Sequence, residues 1–390
     1  MLAGETTKRA ALDPDDLVAR LQAHGVERLR GEASVWVVLD GSDVRKPHAR
    51  AMEHLQRVRK ADGTGTVPGY ATLNALGIAP GKRGLLFHKL FSSAHPGFDS
   101  ESRERRAAVR ALGAALAPLT AEGTEVTQIL DSGFDDVALW ADIWGQGHHL
   151  VCRVQHRNRH VFPSPDAAEA VPLADLAADL VPLARVEAEL EVRLVGQRRA
   201  KRQPVVAAVA AVPVTVPYRD DARSLTPGPE QRRPCWLVEV KIEGAVLEPW
   251  WLLTDRPVET AEQATEVFRM YRQRWAIEDA FKLAKTCLGW EDVQVLGFDA
   301  VRLLVALGWV ATGFLFELGV GLDWPEVRLL RRLGGGEERD DRPPGKQVLA
   351  RGLRRLFDLL ATEAILADEV RRHGALPPRI AALLGRPPDP

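Results

Sequence analysis

The residues best suited to chemistry lie in the run YRQRWAIEDAFKLAK at 271–285. On a helix turning about 100° per residue, Tyr271, Arg274, Glu278 and Lys285 fall within a stripe about 60° wide. Beside it, Met270, Ile277, Phe281, Ala284 and Leu288 form an apolar stripe suited to a core. The segment therefore offers one carboxylate among cations at the border of a buried face. A solvated face with an Arg274–Glu278 pair would read the same in isolation. Two further acids shift the balance. Asp40 closes the apolar run VWVVLD (35–40), and Asp131 closes TQILD (127–131). A strand-end Asp is ordinarily a turn former. Three carboxylates brought to one point are instead a ligand set for hard divalent cations. A pair of such ions about 3.5–4 Å apart stabilises both the entering and the leaving oxygen of an in-line displacement. Asp43, just beyond Asp40, competes for the first position. His148, His149, Cys152, His156 and His160 form another cluster, but the strand-like LVCRVQ inside it argues against a helical zinc spacing.

The elements that must position these acids follow from periodicity and turn residues. Residues 14–30 read as a helix, 35–40 as a strand, and 70–78 and 84–93 as two more strands. Residues 100–119 are helical, 127–131 a strand, 134–144 a helix and 149–155 a strand. Three strands, helix, strand, helix, strand is the order of an RNase H-like domain that still lacks its last helix. The composition then changes. VVAAVAAVPVTV (205–216), CWLVEVKI (235–242) and WWLLTD (250–255) are β-like, and helix resumes near Thr260. The expectation is an α/β fold, an RNase H-like mixed sheet with a mostly β insertion before the last catalytic helix, plus a helical C-terminal tail. Its parts are a short N-terminal helical segment (1–32), the first part of the catalytic domain (33–156), the insertion (157–255), the final helices (256–325), and a linker, rich in Gly, Pro and charge at 333–346, with a helical C-terminal region (326–390).

Charge sets limits on partners. The 390 residues hold 52 Lys and Arg against 53 Asp and Glu, a formal charge of −1, so no global positive field coats nucleic acid. The balance is a sum of opposites. Residues 166–191 carry seven acids and one base, 193–202 five bases and no acid, and 268–285 five bases against two acids. An apolar fraction of 46% with 27% charged residues excludes wholesale disorder. Three dispersed cysteines without C-x-x-C signal neither a disulfide framework nor a zinc ribbon, and a reducing cytosol fits. No signal peptide is visible after Met1. The apolar stretch Leu303–Leu315 is closed by Arg302 and Glu317, short of the ~18 residues of a membrane span, and reads as a core helix.

The spacing Tyr271-x2-Arg274-x3-Glu278-x6-Lys285 resembles the Y-R-E-K signature of bacterial insertion-sequence DDE transposases of the insertion sequence 4 type. LDGSDVRKPHARAMEHLQRVR (39–59) is similar to that family's region around its first Asp. ILDSGFDD (129–136) resembles its second-Asp motif, and HLVCRVQHRNR (149–159) the arginine-bearing strand that follows. The resemblance covers roughly residues 35–320. It implies Asp40, Asp131 and Glu278 as the catalytic, metal-binding triad for two Mg2+ or Mn2+ ions. It implies Tyr271, Arg274, Lys285, Arg153 and Arg157 as DNA contacts. The activity implied is cleavage of double-stranded DNA at terminal inverted repeats and transfer of the 3′-hydroxyl into target DNA. A homodimeric synapse, a hairpin intermediate and a bacterial, nucleoid-associated cytoplasmic location come with it. Some members stack a flipped base on a tryptophan of the insertion, which singles out Trp236, Trp250 and Trp251, although strand tryptophans are more often core. Only 39 residues precede Asp40. End recognition is therefore expected elsewhere, in 193–202 or near Arg351, Arg354 and Arg355, unless the copy is truncated. Two rivals remain: a nuclease of the same fold without strand transfer, and an inactive transposase acting as a DNA-binding or dimerising inhibitor.

Overall fold

Three parallel strands carry the fold: β1 (Ser34–Arg45), β5 (Glu125–Leu130) and β6 (His149–Arg153). Val35, Val37, Val38 and Leu39 are all fully buried, because helices cover both faces of a parallel sheet. The register sets Leu39 beside Leu130, so the next residues stand at one level: Asp40 within β1, which runs on to Arg45 beside β3, and Asp131 just past the end of β5. The computed structural model describes residues 12–218, 231–336 and 345–384. The linker expected at 333–346 falls largely outside them.

β1 also pairs antiparallel with β3 (Thr66–Ala79), whose other edge takes β2 (Gln56–Arg59) and β4 (Lys82–Phe91). The full path is β2-β3-β1-β5-β6-β12-β11-β10-β9, with β4 also on β3. Helix α1 (Pro14–Leu29) lies backbone to backbone on β4, where a Cβ on Gly84 would stand 2.5 Å from the Gly25 carbonyl oxygen. Only glycines allow that approach. Helix α2 (Glu101–Ala121), capped by Ser100, buries Ala108, Val109, Leu112 and Leu116. A 3-10 turn (Ser132–Phe134) and α3 (Val137–Trp144) then lead into β6. Short β7 (His160–Val161) and β8 (Val171–Pro172) form a separate ribbon ahead of α4 (Leu173–Leu176).

The β-rich stretch does not form a sheet of its own. β9 (Pro182–Val192), β10 (Lys201–Pro217), β11 (Arg232–Ile242) and β12 (Trp250–Thr254) extend the central sheet, with β12 joined antiparallel to β6. The acidic segment thus contains an edge strand. Its acids Glu187, Glu189 and Glu191 alternate with Val186, Ala188 and Leu190, the period of a strand.

Asp255 fastens this junction. Its side chain is fully buried and accepts from the Leu150 amide at 2.9 Å, His149 Nδ1 at 3.0 Å and Arg233 Nη2 at 2.8 Å. Burial pushes its pKa up, but those hydrogen bonds outweigh it and hold the carboxyl below the usual range. The stability it contributes is therefore present at neutral pH and lost as pH falls through that depressed value. Asp255→Ala, which strands buried donors, is expected to cost about 3 kcal/mol in urea unfolding. An unchanged midpoint would contradict this role.

Five helices follow α4 and β12 in the chain: α5 (Ala261–Arg272), α6 (Trp275–Cys287), α7 (Phe298–Gly321), α8 (Trp324–Leu333) and α9 (Lys346–His373), then a short α10 (Pro378–Leu383). Two compact units result: residues 1–282 with 290–310, and residues 283–289 with 311–390. In the first, the start of α7 is a core element. Val301, Val305 and Trp309 are fully buried, and Trp290 Nε1 donates to the Val305 carbonyl at 2.8 Å. Residues 298–318 are long and apolar enough to cross a membrane by length and composition, with 44% of the window buried. In the second unit, α8 meets α9 where a Cβ on Gly352 would collide with the Leu330 carbonyl.

Candidate active site

The helix expected across 271–285 is broken. α5 ends at Arg272 and α6 begins at Trp275, with tightened i→i+3 bonds from Gln273 to Met270 and from Arg274 to Tyr271. No Gly or Pro causes the break. It coincides with aromatic packing: Trp275 lies 5.5 Å from Trp250 of β12, and Trp250 lies 5.7 Å from Tyr271. The break turns Arg274 inward, and the residue is only 8% exposed. The single wheel drawn from the sequence does not run through this point.

One guanidinium nitrogen meets all three acids. Arg274 Nη1 lies 2.7 Å from Glu278 Oε1, 3.3 Å from Asp40 Oδ2 and 3.8 Å from Asp131 Oδ2. Any two of those oxygens are thus within twice 3.8 Å of each other. Tyr271, buried at the end of α5, donates its hydroxyl to Asp131 Oδ1 at 3.2 Å. The Gly41 amide donates to Asp40 Oδ1 at 2.8 Å.

Electrostatics follow from this crowding. Asp40 is pushed up to about 6, chiefly by burial, with Arg274 and the Gly41 amide opposing and Asp131 and Glu278 adding to the rise. Burial would lower Arg274, but Asp131, Tyr271, Glu278 and Asp40 together hold it well above its ordinary value. Burial also raises the Tyr271 phenol, with the Asp131 charge adding to it. Because the folded state holds the Asp40 proton more tightly than an unfolded chain with the ordinary value of 3.8, Asp40 opposes folding as pH climbs from there towards about 6. In chelator-treated protein, carbon NMR should show the Asp40 carboxyl titrating near pH 6, higher in Arg274→Gln and lower in Asp131→Asn. Titration at the ordinary value in all three would contradict the geometry.

The neighbouring framework contains residues that spacing did not single out. Lys46, on the chain just past β1, is 4% exposed and donates Nζ to the carbonyls of Glu291 at 2.8 Å and Val293 at 2.7 Å, and to that of Trp290 at 3.4 Å. Burial brings it down to about 8, against the charges of Asp292 and Glu291. Arg45 adds an ion pair to Glu291 at 3.1 Å. Residues 290–293 are thereby laced to the strand that bears Asp40. Buried Asp135 accepts from the amides of Gln155 at 2.7 Å and His156 at 2.8 Å and pairs with Arg159, tying the second-Asp segment to the chain after β6. Nothing in the spacing of a lone Lys or Asp announces such bonds, since they join segments far apart in the chain.

The other expected residues are placed as follows. Arg153 ends β6, and its charge reaches the Tyr271 phenol. Arg157 stacks 4.6 Å over Trp251 and bonds the Pro249 carbonyl at 2.8 Å and Glu248 at 3.1 Å. Lys285 lies in the last turn of α6, partly buried. Asp43 accepts from the Arg59 amide of β2 at 3.1 Å. Trp250 and Trp251 are both 7% exposed, and Trp236 is half-buried. His148 bonds Gln128 at 3.2 Å and His149 bonds Asp255. Among the described residues, no three His, Cys, Asp or Glu side chains close tightly enough to ligate one ion as they stand.

Among solved structures, the NurA nuclease from Sulfolobus solfataricus is weakly similar, at 10% identity and a TM-score of 0.25, over 74% of this chain and 86% of that one. Likeness at that score carries no weight for function. The family comparison is stronger. Residues 32–311 match the transposase DDE domain, a span that takes in Asp40, Asp131, Tyr271, Arg274, Glu278 and Lys285 and nearly coincides with the extent of the motif resemblance. A match over most of the chain settles membership: this protein belongs to the transposase DDE domain family.

Proposed function

We propose that the chain is a cut-and-paste DNA transposase of the insertion sequence 4 type, with Asp40, Asp131 and Glu278 as its metal-binding catalytic acids. The observation that carries the reading is the approach of all three carboxylates to one nitrogen of Arg274. The donor set suits Mg2+ or Mn2+ in kind, being entirely carboxylate oxygen, and in charge, since three acids face one fixed cation. Closure on an ion requires Arg274 Nη1 to give way. Glu278, on a helix surface and 47% exposed, is the acid with the most room to move.

When bound, two such ions supply Lewis-acid stabilisation of the entering and leaving oxygens. The chain's own residues do the rest. Tyr271 holds Asp131 in place through its hydroxyl. Arg274 presents a planar fork of donors suited to phosphate oxygens. Lys46 and Arg45 keep residues 290–293 fixed against the Asp40 strand. Two copies, each on one terminal inverted repeat, would form the synapse in a bacterial cytoplasm.

The test is incubation of the full chain with DNA bearing the flanking terminal inverted repeats, a target plasmid and Mn2+. Joined products support transposition. Nicks without joining favour the nuclease rival, and metal-independent DNA binding alone favours the inactive inhibitor.

A further inference from the structure

The tip between β9 and β10 bears residues 193–202, with five bases and no acid. Such a run is ordinarily a solvated loop, but this one is built. Gln197 and Gln203 exchange side-chain hydrogen bonds at 2.9 and 3.0 Å, and Gln203 also holds the Val192 carbonyl at 2.9 Å. The neighbouring loop after β11 is laced to it, from the Val195 amide to the Gly244 carbonyl at 2.8 Å and from the Val246 amide to the Arg193 carbonyl at 2.9 Å. From this braced platform Val195 projects, 76% exposed, beside Val246 and Leu247 at 45% and 47%. Arg202 is paired with Glu189 at 2.9 Å. Among the described residues, no ion pair or side-chain hydrogen bond holds exposed Arg193, Arg198, Arg199 or Lys201.

The sheet says where this tip stands. β1, β5 and β6 run parallel, and Arg153 at the end of β6 faces Leu252 near the start of antiparallel β12. Following the alternation through β11 and β10, the end of β9 lies at the sheet end from which Asp40 and Asp131 emerge, with Val192 paired to Lys201. Five strand intervals separate β5 from β9, roughly 24 Å at ~4.8 Å each, and Lys201 stands ten residues along β10 beyond Ala211, which is level with Arg153, a further ~33 Å at ~3.3 Å per residue. Together these make about 40 Å, or about twelve base pairs of duplex at ~3.4 Å per step.

We propose that this tip is a second DNA contact, in which Arg198, Arg199 and Lys201 hold backbone phosphates about twelve base pairs from the phosphate at the carboxylates. It rests on the transposase reading, because it takes duplex DNA as the substrate that runs along this end of the sheet.

The experiment measures DNA affinity by fluorescence anisotropy across a salt series, using the full chain and a duplex spanning an inverted repeat and its flank. Arg198→Ser/Arg199→Ser/Lys201→Ser should lower the slope of log K against log salt by about 2.7, or ~0.9 per lost phosphate contact. A second arm does not depend on any variant. Trimming the wild-type duplex from either end should weaken binding once one end comes within about twelve base pairs of the cleaved phosphate. The triple variant should be insensitive to that trimming. Equal slopes, or equal trimming curves, overturn the tip contact while leaving the active-site reading intact. Failure of the wild type to bind DNA overturns both.

Discussion

Glu278→Ala is expected to lower metal-dependent DNA cleavage by about three orders of magnitude, the equivalent of roughly 4 kcal/mol of barrier. DNA affinity in a chelator should stay within a few-fold of wild type, since the change removes a negative charge and no donor. Glu278 is half exposed on α6, so the substitution opens no core cavity, and loss of activity would not report unfolding. Its loss also frees Arg274 from its nearest partner at 2.7 Å. Measuring the rate of nicking at an inverted-repeat end in Mn2+, with anisotropy for binding, separates the two terms. Equal cleavage by both proteins would sink the assignment of Glu278.

Arg274→Gln should move two observables in opposite directions. Cleavage is expected to fall by about two orders of magnitude, because a neutral amide cannot offer the charged fork to a phosphate. Mn2+ binding without DNA, followed by calorimetry at pH 8, should tighten about tenfold. The sign follows from the distances. An ion held by the three acids would face Nη1 as a like charge, since that nitrogen lies within 3.8 Å of an oxygen of each. At ~4 Å and an effective dielectric constant near 20, one pair of unit charges amounts to about 4 kcal/mol, most of it relaxed as the side chain moves aside. The choice of pH matters because removing Arg274 raises Asp40 further above about 6, and a protonated carboxyl is a poor ligand. Weaker Mn2+ binding in the variant would mean that Arg274 aligns the acids rather than competing with the ion.

The strands bearing the two aspartates were legible in the sequence. VWVVLD and TQILD are short apolar runs ending in acid, and the structure makes each a buried strand, but only β5 stops before its Asp, whereas β1 runs on past Asp40 to Arg45 in its pairing with β3. The start of α5 was legible too, where Thr260 and Gln263 form a capping box. The Glu278 helix was placed correctly but its phase was not, because periodicity assumes an unbroken helix. The break at Gln273 and Arg274 depends on Trp250, a residue more than twenty positions away, packing against Tyr271 and Trp275. The acidic segment 166–191 showed as a composition shift, although Glu187, Glu189 and Glu191 already alternated with apolar residues as an edge strand does.

The sequence by itself determined which acids were candidates, the two apolar strand runs that carry Asp40 and lead into Asp131, and membership of the transposase DDE domain family. Those features are local, since alternation, capping and residue type act over a few positions. The tertiary structure alone decided that β12 joins β6 and makes one continuous sheet, that Lys46 and Asp135 fasten distant segments beside the acids, and that Arg274 turns inward to meet three carboxylates. Each of these depends on contacts between residues far apart in the chain. Their free energy comes from burial and from satisfying buried polar groups, terms that no short window of sequence contains.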